Sequence, residues 1–165
     1  MRAMNVGILT VSDRGSRGER IDTSGDAIRG MIVGAGGNVE RYAIVPDELD
    51  AIASTLRAWC DAGGLDVILT TGGTGLARRD ITPEATLSIA DRNVPGLAEA
   101  MRAEGMKHTP RAMLSRAVAV VRGDTLIVNL PGSEKGVRES LGAIIDVLPH
   151  AVELLRGATE HPKSS

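Results

Sequence analysis

The chain has 165 residues, a net charge of −2, a hydrophobic fraction of 42% and a charged fraction of 24%, the balance of one soluble globular domain. That charge leaves no basic footprint for nucleic acid, and with Tyr42 and Trp59 as the only aromatic side chains there is no base-stacking platform. The single cysteine, Cys60, cannot form an internal disulfide and is expected to pack as a small hydrophobe on a helix in a reducing compartment.

Met1-Arg2-Ala3 leads into the first apolar run without signal-peptide architecture, and no apolar stretch approaches the roughly 18 residues of a membrane span, so a cytoplasmic location is expected. Residues 4–11 are nearly continuously apolar, the pattern of a buried strand. Residues 12–23 are polar, charged and glycine-bearing, a loop of a length that often carries function. Ile28, Met31 and Ile32 stand at helical spacing within 24–35, and Gly36-Gly37 stops that helix. A second strand at 39–45 ends at Pro46-Asp47. The helix after it, 48–62, carries Leu49, Ile52, Leu56 and Trp59 on one stripe. The third strand, 66–71, ends abruptly in Gly72-Gly73-Thr74-Gly75. Thr82 as N-cap and Pro83 at the first helical position open the next helix, and another spans 95–104. Strands at 117–121 and 125–130 flank Arg122-Gly123-Asp124, a hairpin signal. One last helix is expected over 133–155, then a polar tail at 158–165.

Strands alternate with helices for most of this length. The expected fold is therefore a single three-layer α/β/α domain over 1–157, with a mostly parallel sheet made mixed by the late hairpin. In open α/β sheets, ligands bind outside the carboxyl ends of the strands. Four polar or glycine-rich clusters come directly after apolar strands here: Ser12-Asp13-Arg14, Pro46-Asp47-Glu48, Thr70 to Asp80, and Asn129 to Ser133. Taken singly, each reads as turn chemistry and helix capping. Their convergence on one rim argues for a site.

The central cluster is the most specific. Its glycines remove the Cβ atoms that would hold a ligand away, and consecutive exposed amides can cradle an anion. Thr71 and Thr74 add hydroxyls, Arg78 and Arg79 can clamp a polyphosphate, and Asp80 can hold Mg²⁺ together with substrate phosphates. Asp47 brings a second carboxylate from the end of another strand. Two acids, two arginines and a glycine loop describe phosphoryl or nucleotidyl chemistry. Other nucleotide and hydrolase signatures fail. GxxxxGK[ST] and GxSxG are absent, and Arg78 occupies the sixth position of the GxGxxG pattern that begins at Gly73. His108, His150 and His161 are scattered and read as surface or helix residues.

Beyond these readings, the sequence resembles the MogA/MoaB family of molybdopterin adenylyltransferases, to which the N-terminal domain of gephyrin is related. The resemblance is carried by Thr70-Thr71-Gly72-Gly73-Thr74-Gly75 and by Ala77-Arg78-Arg79-Asp80-Ile81-Thr82-Pro83-Glu84-Ala85. Val94-Pro95-Gly96-Leu97, Leu114-Ser115-Arg116 and Asn129-Leu130-Pro131-Gly132-Ser133 continue it in the family's order, with Val11-Ser12-Asp13-Arg14 and Val45-Pro46-Asp47-Glu48 upstream. It extends over nearly the whole chain, from about Asn5 to Leu155. Glu134 departs from the pattern, since many relatives have proline there.

The resemblance implies a cytoplasmic homotrimer acting in molybdenum cofactor biosynthesis by MogA-type, Mg²⁺-dependent adenylylation of molybdopterin with ATP, releasing pyrophosphate. It further implies transient contact with other molybdenum-cofactor enzymes, and no nucleic-acid or membrane partner. Asp47 and Asp80 are then the catalytic acids and the Mg²⁺ ligands. The expected substrate- and nucleotide-binding residues are Ser12, Asp13, Thr71, Gly72, Gly73, Thr74, Gly75, Arg79, Ser115, Asn129, Pro131, Gly132 and Ser133. The competing reading is a non-catalytic molybdopterin carrier of the MoaB type on the same fold.

Overall fold

A computed structural model describes residues 3–157; the tail expected at 158–165, with His161 in it, lies outside them. Six strands form one sheet in the order β2-β1-β3-β6-β5-β4. They are β1 (Asn5–Val11), β2 (Asn38–Val45), β3 (Val67–Thr71), β4 (Arg92–Asn93), β5 (Ala119–Arg122) and β6 (Thr125–Leu130). The β1–β2, β1–β3 and β3–β6 pairs are parallel, while β5 runs antiparallel to β6 and β4 antiparallel to β5. The mixed sheet and the late hairpin are as the sequence implied.

Because side chains alternate across a strand, each strand feeds two cores. Val6, Ile8, Val67, Leu69, Leu126 and Val128 face one side and pack on α2 (Thr23–Gly34), α5 (Pro95–Met106), α6 (Glu134–Ile144) and α7 (Leu148–Leu155). Leu9, Val11, Ile68 and Ile127 face the other and pack on α3 (Leu49–Ala62) and α4 (Thr82–Ser88). These are the three layers. Each fully buried Ile, Val or Leu contributes about 1.5–3 kcal/mol, so a core almost without aromatics is sufficient here.

Several elements differ from the expectation. A short helix α1 (Asp13–Ser16) stands in the 12–23 loop, capped by Ser12, whose Oγ accepts from the Gly15 N–H at 3.0 Å. The N-cap of α4 is Ile81, not Thr82. The Thr82 hydroxyl donates instead to the Gly72 carbonyl at 2.9 Å, a bond to the glycine loop that outcompetes capping. Leu49 is exposed because it opens α3 rather than standing within its buried stripe. The long last helix is two helices. Pro149 lacks an N–H and crowds the carbonyl four residues back, so the chain turns at 145–147 and restarts as α7. Strand β4 and a 3₁₀ helix at Pro110–Leu114 carry too few residues for periodicity to reveal them.

Cys60 is half-buried on α3, and burial pushes its thiol up to about 11, as befits a packing residue rather than a nucleophile. His108 and His150 are exposed helix or helix-end residues, as expected. Among the described residues no helix is long and apolar enough to cross a membrane.

Candidate active site

From β1 the chain passes to β2 on one side and later to β3 on the other, so the loops leaving β1 and β3 diverge and open a crevice at their carboxyl ends. A cavity of about 290 Å³ lies there. Its walls are Ser12, Arg20 and Asp22 after β1, Asp47 after β2, Thr71, Gly72, Gly73 and Asp80 after β3, and Gly132-Ser133 after β6. A second hollow of about 340 Å³ adjoins it at Ser133, which lines both. The second is walled by Thr74, Gly75, Ser115 and Pro131, with Ala98, Met101 and Leu114 giving it a more apolar surface. The expected site residues are therefore largely brought together, but divided between two hollows.

The glycine pair at the junction is conformationally required. Gly72 and Gly73 have φ of +101° and +70°. A methyl group on Gly72 would lie 2.3 Å from the Val11 carbonyl oxygen, and one on Gly73 2.3 Å from the Thr82 hydroxyl. The loop is tied down on every side. The Thr71 hydroxyl donates to the Pro131 carbonyl at 2.6 Å, the Gly72 N–H to the Leu130 carbonyl at 3.2 Å, and the Ser24 hydroxyl to the Gly132 carbonyl at 2.6 Å.

Neither acid caps the helix after it, which removes the capping explanation for Asp47 and Asp80. Ser133 does cap α6, accepting from the Gly136 N–H at 3.0 Å. Asp47 and Asp13 are locked reciprocally: Asp47 Oδ2 accepts from the Asp13 N–H at 2.9 Å, and Asp13 Oδ1 from the Asp47 N–H at 3.0 Å. The Arg79 guanidinium forks onto the same Asp13 carboxylate, Nε to Oδ2 at 2.6 Å and Nη2 to Oδ1 at 2.9 Å. That fork holds the Asp13 carboxyl below its ordinary value. Asp80 is anchored by its Oδ2, which accepts from the Ala77 N–H at 3.0 Å. Each acid thus keeps one oxygen, Oδ1, without a hydrogen-bond partner among the described residues, and both line the first cavity.

Burial pushes the Asp47 carboxyl above its ordinary value of 3.8, and the negative charges of Asp13 and Asp80 push the same way. A raised carboxyl binds its proton more tightly in the folded chain than in the unfolded one. Ionising Asp47 therefore costs stability, a cost absent at low pH that grows as pH rises from 3.8 through the raised folded value. Asp47→Asn should gain thermal stability relative to the parent as pH rises from about 4 towards 7. Melting curves of the two proteins across that range test it; a constant difference would contradict the buried charge.

Three of the expected site residues are bound to partners within the protein. Arg79 is forked onto Asp13 and lines neither hollow. Asp13, with its oxygens engaged by that fork and by the Asp47 N–H, does not line the cavity. Asn129 is fully buried and its side-chain amide is bonded on every side to the protein. Its Oδ1 accepts from the Val118 N–H at 3.2 Å, and its Nδ2 donates to the Thr70 and Thr86 hydroxyls, both at 3.0 Å. It braces the floor between β3, β6 and α4 with both amide N–H bonds spent, while it lines the second hollow. Glu134, the departure from the family pattern, pairs with Arg138 at 3.0 Å, which draws its charge along α6.

The structure also adds residues. Asp22 lines the first cavity, its carboxylate held by the Gly25 N–H at 2.9 Å, the Thr10 hydroxyl at 2.6 Å and the Tyr42 hydroxyl. Arg116 binds the Gly75 carbonyl at 2.8 Å, the Asp80 carbonyl at 2.5 Å and the Glu84 carboxylate, pinning both ends of the loop that carries Asp80. Arg116 stood within a recognised motif, Leu114-Ser115-Arg116. Asp22, before Thr23-Ser24-Gly25, carried only a helix-start signal.

Residues 7–150 match the family described as "Probable molybdopterin binding domain". The chain is 43% identical to a molybdopterin adenylyltransferase of Helicobacter pylori (strain J99), over 95% of this chain and 90% of that one. The chain belongs to the MogA/MoaB family of molybdopterin adenylyltransferases. Membership places it among the nucleotidyltransferases of molybdenum cofactor biosynthesis. A Thermus thermophilus structure described as the molybdopterin biosynthesis enzyme MoaB shares 60% identity, with a TM-score of 0.88 over 93% of this chain and 97% of that one. A structure described as MogA shares 41% identity, with a TM-score of 0.87 over 92% and 99%.

Proposed function

We propose that this protein transfers AMP from ATP to the terminal phosphate of molybdopterin and releases pyrophosphate. The observation that carries the reading is the placement of Asp47 and Asp80, each with an unpartnered Oδ1, in one cavity beside the positive-φ pair Gly72-Gly73. A phosphate monoester is already charged about −1.5 to −2 at pH 7, so its oxygen needs little general-base help. The barrier is mostly anion meeting anion, and positioning and charge neutralisation lower it.

A divalent ion fits these residues. No cluster of three or more His, Cys, Asp or Glu that could hold a metal occurs among the described residues. Two carboxylates plus substrate phosphates are the usual holders of Mg²⁺, and the charge crowding on Asp47 favours a cation. Bound there, Mg²⁺ would neutralise charge on the transferring phosphate. The chain itself does the rest. The Asp13–Arg79 fork fixes Asp47, Arg116 fixes the Asp80 loop, and the N–H groups of Gly73, Thr74 and Gly75 are offered to phosphate. Ser133, shared by the two hollows, stands where the phosphates of two substrates would meet, with the pterin ring reaching Ser115 and Pro131 in the more apolar hollow.

Incubation with molybdopterin, ATP and Mg²⁺ should yield adenylylated pterin and pyrophosphate by chromatography. Pterin binding without pyrophosphate release under any divalent ion would sink the transfer reading in favour of a carrier. The assembly proposed from the family resemblance is a homotrimer in the cytoplasm. Light scattering should give about three times the 17.2 kDa chain mass, and a monomer at micromolar concentration would contradict it.

A further inference from the structure

The first cavity carries three carboxylates, Asp22, Asp47 and Asp80, but one guanidinium, that of Arg20. Of the neighbouring arginines, Arg14 and Arg78 line neither hollow, and three others are committed. Arg79 is forked onto Asp13, Arg116 onto two loop carbonyls and Glu84, and Arg17, three residues before Arg20, onto Glu19 at 3.1 Å. The carboxylate of Asp22, two residues beyond, is taken by Gly25, Thr10 and Tyr42. Arg20 has no hydrogen-bond or ion-pair partner among the described residues, although acids flank it in the chain. It is exposed, on a loop that begins at the carboxyl end of β1, and it lines the same cavity as the two acids with unpartnered oxygens.

We infer that Arg20 is the phosphate-clamping arginine of this site, gripping the polyphosphate of a nucleoside triphosphate beside Asp47 and Asp80. The inference rests on the nucleotidyl-transfer reading above and names the cation that Arg79 is not free to supply. Two N–H groups of a planar guanidinium match two phosphate oxygens, and an unpartnered arginine breaks no ion pair in turning to them. The β- and γ-phosphates, which leave together as pyrophosphate, are the natural occupants: they carry the greatest charge and do not react with the acceptor.

Calorimetric titration of inorganic pyrophosphate with Mg²⁺ into the parent protein, Arg20→Ala, Arg20→Lys and Arg79→Ala tests this without requiring turnover. Arg20→Ala should weaken binding about tenfold to a hundredfold, the range for a hydrogen bond to a charged group. Arg20→Lys should recover part of the loss, and Arg79→Ala should weaken binding less than Arg20→Ala does. In the adenylylation assay, Arg20→Ala should raise KM for ATP while leaving KM for molybdopterin within about twofold of the parent. Parent protein that binds no pyrophosphate, Arg20→Ala that binds it as well as the parent, or Arg79→Ala suffering the larger loss would each overturn the assignment. A parent that binds pyrophosphate through Arg20 yet forms no adenylylated pterin would leave the assignment standing and sink the transfer reading alone.

Discussion

Asp47→Asn and Asp80→Asn are each expected to lower the adenylylation rate about a hundredfold to a thousandfold, the loss typical of a removed electrostatic stabiliser. Asparagine is the informative replacement because of how each acid is held. In both, Oδ2 accepts a backbone N–H, from Asp13 and from Ala77 respectively, and an amide oxygen can take over that bond. The local fold is then retained while the charge on the cavity side disappears. Molybdopterin affinity should change far less than turnover, since charge at the transferring phosphate acts chiefly in the transition state. Alanine at the same positions should add a stability loss of about 1 kcal/mol by freeing the N–H. Paired measurement of thermal midpoint and single-turnover rate separates the two effects. Asparagine variants with a lowered midpoint and unchanged turnover would make both acids structural and the site assignment wrong.

Gly72→Ala should be the most damaging small substitution in the chain. Its φ of +101° is one that alanine avoids, and the new methyl would lie 2.3 Å from a backbone oxygen, Val11 O, that cannot swing aside. Strain and overpacking together are expected to cost on the order of 3–5 kcal/mol. For a chain of this size that lowers the melting temperature by roughly 10 °C. Gly18→Ala is the matching control. Its φ is +73° and nothing lies within 4 Å of an added Cβ, so only the backbone cost of about 1–2 kcal/mol applies. Thermal unfolding of the two variants tests the comparison; equal losses would mean that the contact with Val11 relaxes away.

The layer order, the mostly parallel sheet and the rim carrying Asp47 and Asp80 were legible from the residues alone. Apolar runs of strand length, helical spacing and glycine stops are local signals. A strand that ends in Gly72-Gly73 delivers the next residues to the carboxyl edge wherever it lies in the sheet. The break at 145–147 had a local signal as well, Pro149, a residue that a helix interior does not accept. Apolar residues continuing on both sides of it make 133–155 read as one helix instead.

What local pattern could not supply was the partner of each polar group. Arg79 meets a carboxylate 66 positions away, Asn129 is consumed by Thr70 and Thr86 across 59 and 43 positions, and Arg116 reaches Asp80 across 36. Read in sequence, Arg79 and Asn129 look like free ligand-binding groups beside a glycine loop, whereas Arg20 looks like one more charge in a polar loop. Packing reverses those roles. A hydrogen-bonding group is available to a ligand only if the fold has not already satisfied it, and that depends on which distant chain segments the sheet brings within about 3 Å. Residue order is enough to say where the chemistry collects, because strand ends and glycine turns are written in neighbouring residues. Which of the collected groups remain free to act is settled by packing, because the partners that consume the others come from remote parts of the chain.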